Sequence, residues 1–431
     1  MTQQATRAGK AALRSIAANR MLWIWGWVWI ATAALMVVQV GFWNHDLGIN
    51  YQDAEFYKKW SEILAHQHVM PPEESWQYPP GATFLLLVPR IGIGLFGAAY
   101  QPSFMVMMLV VDLAGFVLMA LLARRTGRNV GVWVWLLAIP LLQANPITRF
   151  DLVPTVLAMA ALAVIHRRPA WFGALVGVGA SIKVWPIVAL FGEWDRRRLA
   201  IGAAMAAGAV ALTFLVAGVL FGDQLAFFSN QDARGLQDEA VATIPWYARW
   251  TITGKSPPIV LRNGSAEVGG SLANAVAVVL KWLGLLVVLA AALWWVARDR
   301  AIRRGRIDLA DASLSRDFVF AVMLLQIVVS RVLSPQYMIW LIGLAAVVLT
   351  AGTTRLARPA WIAIGAVVLS TGIYIAPANM LIRNVTLVVA ALDAALVMLS
   401  VLREPMDELA GDGDPTDGDD RRLATQRLGQ A

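Results

Sequence analysis

The sequence contains no cysteine, has only four histidines, and is poor in charge, with Asp, Glu, Lys and Arg making up 15% of its 431 residues. Without cysteine, the chain can form no disulfide and can offer no thiolate as a metal ligand or nucleophile. The scarcity of charge and a mean hydropathy of +0.61 exclude an ordinary soluble domain. What is abundant instead is apolar sequence, which accounts for 58% of the chain.

The apolar residues are arranged in runs of about 17 to 25, the length that crosses the hydrocarbon core of a bilayer. The sequence therefore predicts an all-α polytopic membrane protein. Simple crossings are expected near residues 22–42, 104–123, 130–145, 152–166, 200–221, 272–297, 317–333, 336–352, 360–376 and 383–402.

Short basic clusters between these runs predict the orientation, because cytoplasmic loops carry an excess of Lys and Arg. The clusters are Arg124, Arg125 and Arg128; His166, Arg167 and Arg168; Arg196, Arg197 and Arg198; Arg298, Arg300, Arg303, Arg304 and Arg306; and Arg355 with Arg358. With all of them in the cytoplasm, both termini are cytoplasmic and two long loops, 43–81 and 222–270, face outward. The net charge of +8 is then explained by topology, and we expect no nucleic-acid partner.

This pattern divides the chain into three parts. We expect residues 1–21 to form a cytoplasmic N-terminal segment and residues 22–402 to form the transmembrane domain, which carries the candidate catalytic residues named below. Residues 403–431 form an acidic tail rich in Gly and Asp, which is expected to be disordered.

Two apolar segments do not fit as simple crossings. Residues 82–98 would invert every later loop if they crossed, so they are predicted to be a re-entrant or interfacial helix. Residues 171–193 lie between two cytoplasmic clusters and are predicted to enter the membrane and return, with Lys183, Trp185 and Pro186 at the turn. A broken helix at membrane depth is tolerated where it lines a cavity. This predicts that Lys183 is a cavity residue.

The first outer loop holds the main candidate for catalysis, Asp53. A carboxylate at the lip of a hydrophobic helix is well placed to act as a general base towards a sugar hydroxyl. Tyr57, Trp76 and Tyr78 lie in the same loop, and aromatic faces offer sugars apolar contact area. The alternative interpretation of Asp53 is a solvated loop acid or a helix cap.

Asp151 is a second candidate acid, in a short outer loop that also contains Arg149. The alternative is that the two residues form a local ion pair that caps the next helix. Two outward acids could also hold a divalent cation, but two acids without a third ligand are a weak metal signal. We therefore expect no metal or other cofactor, and a divalent cation is the less favoured alternative.

Three cations are candidates for binding a phosphate group: Lys183, Arg331 and Arg234. Arg331 lies at the outer end of a predicted span, where an unpaired charge is costly and is retained when it meets an anion. Fixed cations of this kind stabilise the charge that develops on a phosphate leaving group. For Arg234 the alternative is a salt bridge to Asp238 or Glu239.

With these residues in view, the chain resembles the GT-C superfamily of membrane glycosyltransferases. Within it, the chain is most similar to the actinobacterial polyprenol-phosphate-mannose-dependent α-1,2-mannosyltransferases of glycosyltransferase family 87. The motifs that carry the resemblance are Asp53 with Tyr57, QYPPGA at 77–82, GASIKVWP at 179–186, RGLQDE at 234–239 and SRVLSPQYMIW at 330–340.

The resemblance implies a GT-C fold with ten to twelve transmembrane helices and an active site on the outer face of the plasma membrane. It implies transfer of mannose, with inversion, from a polyprenyl phosphate to a lipid-linked glycan of the cell envelope, with Asp53 as the general base. Lys183, Arg331, Arg234, Gln336 and Tyr337 would then bind the donor, together with the aromatic residues Tyr57, Trp76 and Tyr78.

Other functions stay open at this stage. The same branch includes enzymes that transfer arabinofuranose from decaprenyl phosphate. A lipid or sugar transporter, or flippase, would be expected to carry ionisable residues near the membrane midplane and a pseudo-symmetric pair of halves. A non-catalytic partner of a cell-envelope complex would tolerate replacement of both Asp53 and Arg331.

Overall fold

The computed structural model describes residues 20–41, 52–71, 76–223, 225, 227–228, 231, 234–262, 265–304, 312–370 and 376–402. The side chain of Asp53 lies outside this description. So do nearly all of the predicted N-terminal segment, residues 43–51 and 72–75 of the predicted first outer loop, and the predicted tail at 403–431.

The described residues are overwhelmingly helical. In chain order the helices are α1 (Arg20–Gly41), α2 (Gln52–His66), α3 (Gly81–Leu87), α4 (Pro89–Phe96), α5 (Tyr100–Thr126), α6 (Val130–Ala138), α7 (Asn145–Thr148), α8 (Leu152–Val164), α9 (Pro169–Ile182), α10 (Arg196–Phe221), α11 (Ile244–Thr253), α12 (Ser271–Arg303), α13 (Ala312–Val328), α14 (Met338–Thr350), α15 (Ala357–Ser370) and α16 (Pro377–Val401).

Five of these helices, α1, α5, α10, α12 and α16, are long and apolar enough to cross a membrane, and shorter apolar helices pack among them. The prediction of an all-α polytopic membrane protein is thereby confirmed. A small antiparallel ribbon lies in the second long loop, where β1 (Ile259–Arg262) pairs with β2 (Ser265–Val268).

The centre of the bundle is α14, in which every residue from Met338 to Thr350 is buried. The helix is apolar all round, which is the pattern of a helix enclosed by others. It packs against α6, α8, α13 and α15. Its first turn therefore has a fixed position, and that turn carries Trp340 of the candidate site.

The basic clusters of the sequence meet at one end of the bundle. Arg128, just after α5, donates to the carbonyl of Gly352 at 2.7 Å. Arg316 on α13 donates to the carbonyls of Leu162 at 3.1 Å and Ala351 at 3.3 Å. These bonds bring together one end each of α5, α8, α13 and α14. We call this the arginine end.

Residues 169–193 enter the bundle from the arginine end and return to it. Helix α9 ends at Ile182, the backbone of the next residue, Lys183, is extended, and a 3-10 segment, Trp185–Gly192, leads back. The carboxylate of Glu193 then accepts hydrogen bonds from the backbone amide of His166, at 3.2 Å, and from its Nδ1, at 2.9 Å. The turn of this hairpin is at Lys183, where the sequence places it.

Residues 81–96 begin and end away from the arginine end. Gly81 packs against the backbone of Ser181, next to the turn of the hairpin. Tyr100, four residues after the end of α4, donates from its hydroxyl to the carbonyl of Leu86 in α3 at 3.0 Å. Because α5 runs from Tyr100 towards the arginine end at Arg128, α3 and α4 start and finish on the opposite side, as a re-entrant or interfacial segment does.

Candidate active site

A buried ion pair joins Lys183 and Asp151. The ammonium lies 2.6 Å from Oδ1 of Asp151, and the indole N–H of Trp340 donates to the same oxygen at 2.8 Å. The three residues come from the turn after α9, the start of α8 and the first turn of α14. Burying two charges is tolerated only when they pair and form further hydrogen bonds. The structure thus brings the predicted cavity cation and the second candidate acid into contact.

Aromatic rings surround the ammonium of Lys183. The rings are those of Tyr337, Trp340, Phe150 and Tyr78. We call these four residues, together with Lys183 and Asp151, the cage. Distances from Nζ to the ring centroids are 4.6 Å for Tyr337, 4.9 Å for Trp340, 5.8 Å for Phe150 and 5.9 Å for Tyr78. At such separations an ammonium is attracted by the electron-rich ring face. The cage therefore holds a Lys–Asp ion pair in a largely apolar setting, in which the ring faces add to the stabilisation of the ammonium.

Helix α2 supplies a second aromatic wall beside the cage. Tyr57 is buried, and its ring lies 5.3 Å from Phe150 and 6.5 Å from Tyr78, measured between centroids. Trp76 lies 5.9 Å from Tyr78, edge to face. Asp53 is in the first turn of α2, one helical turn before Tyr57. The predicted sugar platform is thus assembled against the cage, and the helix that carries Asp53 reaches it.

Arg149 and Gln336 close another side of the site. The guanidinium of Arg149 donates to the side-chain oxygen of Gln336. Gln336 belongs to the short 3-10 turn Pro335–Tyr337, so this bond fixes the turn that carries the Tyr337 ring of the cage. The predicted Gln336 and Tyr337 are therefore both at the site. Asp151, which could have paired locally with Arg149, is held by Lys183 instead.

Arg234 pairs across the second long loop and not with its sequence neighbours. Its carboxylate partner is Glu267 on β2, at 3.6 Å, whereas the alternative taken from the sequence was Asp238 or Glu239. Its guanidinium also donates to the side-chain oxygen of Gln77. The ribbon of β1 and β2 folds back over the loop, which explains why a partner distant in sequence is closer in space.

Arg331 lies outside a helix, which corrects the predicted span of 317–333. Helix α13 ends at Val328, and Arg331 lies in the connection that leads to the 3-10 turn Pro335–Tyr337. The guanidinium of Arg331 donates to the carbonyl of Gln231 at 2.7 Å, and the Gln231 side chain donates to the carbonyl of Gln77 at 2.7 Å. Arg331 and Arg234 thus both connect to Gln77, which precedes Tyr78 of the cage. We call Arg331 and Arg234 the second cationic group, because they lie next to the cage, which holds the cation of Lys183.

Across the part of the chain that the structure describes, no three His, Cys, Asp or Glu side chains are grouped so that they could hold a metal ion. The side chain of Asp53 lies outside the described residues.

Three residues of the site were missed by reasoning from sequence: Trp340, Glu267 and Arg383. Glu267 gave no signal, because an acid in a polar loop is ordinary, and Trp340 ends the 330–340 motif of the family resemblance without having been assigned a role. Arg383 did give one, since it is a charged residue inside the apolar run of α16 and such residues are rarely without a role. It is fully buried and pairs with Glu239 at 3.5 Å.

Apolar helices long enough to cross a membrane thus surround a buried Lys–Asp ion pair and its aromatic rings, at the turn of a hairpin that breaks a helix. A family model described as glycosyltransferase family 87 matches residues 76–304, more than half of the chain. The chain therefore belongs to glycosyltransferase family 87 and is a glycosyltransferase. No curated protein and no solved structure matches the chain.

The matched region includes both partners of the ion pair and Arg234, and it begins after Asp53 and Tyr57. Membership favours an enzyme over the transporter and the non-catalytic partner.

Proposed function

We propose that the protein transfers mannose, with inversion, from a polyprenyl-phosphate-mannose donor to a lipid-linked glycan of the cell envelope. The observation that carries this proposal is the cage. It offers a fixed ammonium to a phosphate and ring faces to a sugar, at the turn of a hairpin inside a membrane bundle. A polyprenyl-phosphate sugar presents these three groups, phosphate, sugar and apolar chain, in one molecule.

Lys183 would stabilise the donor phosphate as the leaving group. When the anomeric carbon separates from the phosphate oxygen, negative charge grows on that oxygen, and a preorganised cation lowers the barrier. Asp151 and Trp340 keep the ammonium in one position before the donor binds. Asp151 thus acts as a positioning group for Lys183. The second cationic group, Arg234 and Arg331, would bind the remaining phosphate or glycan oxygens.

Asp53 would accept the proton of the attacking hydroxyl. In-line displacement needs the base, the anomeric carbon and the phosphate along one direction. Helix α2 contacts the cage through Tyr57, whose ring lies 5.3 Å from that of Phe150, and Asp53 precedes Tyr57 by one helical turn. This arrangement suits a base on one side of the sugar and Lys183 on the other.

The depth of the site suits a lipid donor. Helix α9 has 14 residues and leads from the arginine end to Lys183, a rise of about 21 Å. With the arginine end in the cytoplasm, Lys183 would lie within the outer part of a hydrocarbon core about 30 Å thick. A polyprenyl chain in the outer leaflet would then deliver its phosphate to the cage from the side, with the sugar facing outward.

The donor is tested with the purified protein in nanodiscs, offered polyprenyl-phosphate-mannose and decaprenyl-phosphate-arabinose in parallel with an extract of envelope glycolipids as acceptors, with and without EDTA. Mannose transfer supports the proposal, and transfer that survives EDTA supports a metal-free reaction. Transfer of arabinose alone would mean that the donor sugar is arabinose and not mannose. Failure to transfer or bind either sugar would overturn the proposed donor class.

A further inference from the structure

Two consecutive residues of α16, Arg383 and Asn384, hold two consecutive carbonyls of the second long loop. Both side chains are fully buried. The guanidinium of Arg383 donates to the carbonyl of Glu239, and it also pairs with the carboxylate of that residue at 3.5 Å. The amide of Asn384 donates to the carbonyl of Ala240 at 3.2 Å and accepts from Arg383.

The loop segment held in this way is bound at its other end to the connection that follows α13. The backbone amide of Gln237 donates to the carbonyl of Arg331 at 2.9 Å. The Gln237 side chain donates to the hydroxyl of Ser334 at 2.7 Å. Residues 237–240 are thus a short rigid bridge between α16 and Ser334.

Ser334 directly precedes the 3-10 turn Pro335–Tyr337. That turn carries Tyr337, the ring nearest to the Lys183 ammonium, and Gln336, which is bound by Arg149. A continuous series of hydrogen bonds therefore runs from Arg383 and Asn384, through the 237–240 bridge and Ser334, to the wall of the cage.

We propose that Arg383 and Asn384 are positioning residues for glycosyl transfer, which hold the 334–337 turn against the cage through the 237–240 bridge. This inference rests on the proposed role of the cage. A buried Arg and Asn in an apolar helix are expensive to retain. Apolar side chains could join α16 to the loop as well as Arg383 and Asn384 do. To hold backbone carbonyls at fixed positions, however, hydrogen-bond donors are required.

A double-mutant cycle tests the proposal. Asn384→Ala removes one end of the series and Ser334→Ala removes the other, with little change in volume at Ser334. Because either change releases the same segment, we expect each to lower kcat/KM by about tenfold and the double variant to lose about tenfold also, not about a hundredfold. A conservative Arg383→Lys variant keeps the charge but cannot form the same fork, and it should lower kcat similarly while the donor KM changes less.

The matched control is Arg358→Gln. Arg358 on α15 makes a forked pair with Asp393 of α16, towards the other end of the same helix, with Nε donating to Oδ2 at 2.7 Å. Its loss should leave kcat/KM within twofold of the parent. The inference would be overturned if the losses in kcat/KM caused by Asn384→Ala and Ser334→Ala multiplied in the double variant. It would also be overturned if Arg358→Gln lowered kcat/KM as much as either of them.

Hydrogen exchange supplies a readout that does not depend on turnover. In Asn384→Ala the amides of residues 331–340 should exchange faster than in the parent, and in Arg358→Gln they should not. Unchanged exchange in Asn384→Ala would overturn the positioning role. Absence of transfer by the parent protein would overturn the proposed function, and the exchange result would still decide the positioning role.

Discussion

Lys183 and Asp151 each lie where an isolated charge would be strongly disfavoured, and their contact removes most of that cost. The pair is held by an indole N–H and enclosed by rings, so its position is defined before any substrate binds. Such preorganisation matters in catalysis because no reorganisation energy is then spent during the reaction. The same contact makes a simple replacement of Lys183 hard to interpret, since it would leave the carboxylate unpaired.

Lys183→Met is therefore best compared with Lys183→Met combined with Asp151→Asn. The single variant leaves a buried carboxylate without its counter-ion and should lose about 3 to 5 kcal/mol of stability. The double variant removes both charges and should regain most of that stability. Transfer should be reduced at least about a hundredfold in both variants, because the ammonium that we propose to bind the donor phosphate is missing. Thermal unfolding and transfer are measured on the same preparations, and recovery of transfer together with stability would contradict the role of Lys183.

Asp238 gives a prediction for pH. Burial raises the pKa of its carboxyl to about 6, and the positive charge of Arg383 only partly offsets this. Since the folded-state pKa lies above the ordinary value near 4, the folded protein is favoured at low pH, and this advantage is lost as the pH rises through about 6. Because one pKa unit corresponds to about 1.4 kcal/mol, the total loss is on the order of 3 kcal/mol.

The side chain of the Asp238→Asn variant cannot ionise. The difference in melting temperature, variant minus parent, should therefore be larger at pH 8 than at pH 5. The measurement is thermal unfolding of both proteins in one detergent at the two pH values. An equal difference at the two pH values would show that Asp238 titrates normally.

The identities of single residues could be predicted to a useful extent, and their partners could not. Lys183 was recognisable because a Lys beside Trp and Pro interrupts an apolar run. Its contact with Asp151 depends on how α8, α9 and α14 pack, which no local pattern encodes. The same applies to Arg234, whose partner Glu267 comes from the β ribbon.

At the scale of elements, the site depends on two segments that enter the bundle without crossing it. The hairpin of α9 and its 3-10 return places Lys183 at a turn, and α3 packs against that turn. Gly81 at the start of α3 makes the close approach: a Cβ there would lie 2.5 Å from the carbonyl oxygen of Ser181.

Gly81→Ala should therefore push α3 away from the hairpin turn. Overpacking against backbone costs about 1 to 3 kcal/mol, and displacement of the turn should lower transfer as well. Gly94→Ala on α4 is the matched control, because a Cβ at Gly94 meets no atom within 4 Å. Unfolding and transfer are compared for the two variants. Equal behaviour would mean that the contact of α3 with the hairpin does not support the site.

Elements were predictable where hydropathy alone decides them. The long helices fall within a few residues of the expected spans; α5, for example, extends over Tyr100–Thr126 around the predicted 104–123. The ends near the site were less predictable, as at Val328, because the sequence stays largely apolar beyond the end of α13. The β ribbon could not be predicted, because its strands of four residues are too short to show a clear alternation of apolar and polar residues.

For the whole molecule, the meeting of the basic clusters at one end gives the bundle a polarity. The cage and the second cationic group lie away from that end, so an arginine end in the cytoplasm would place the chemistry at the outer face. The hydrogen bonds of Arg128 and Arg316 also fix this end structurally, beyond any role in topology.

The absence of native cysteine makes this orientation easy to measure. Lys255 in the second long loop and Arg167 at the arginine end are both exposed, and each can be changed to Cys alone. A membrane-impermeant maleimide applied to intact cells should label Lys255→Cys and not Arg167→Cys, and both should react after lysis. Labelling of Arg167→Cys in intact cells would reverse the proposed orientation.

The most direct test of the account concerns Asp53 and separates binding from chemistry. Asp53→Asn keeps the size of the side chain and removes the proton acceptor. We predict that it binds the polyprenyl-phosphate sugar with nearly the affinity of the parent, through Lys183, and transfers at least about a hundredfold more slowly in a single turnover. Both quantities are measured in nanodiscs with the donor that the parent uses. Transfer at the parental rate would contradict the account, because the base would then lie elsewhere.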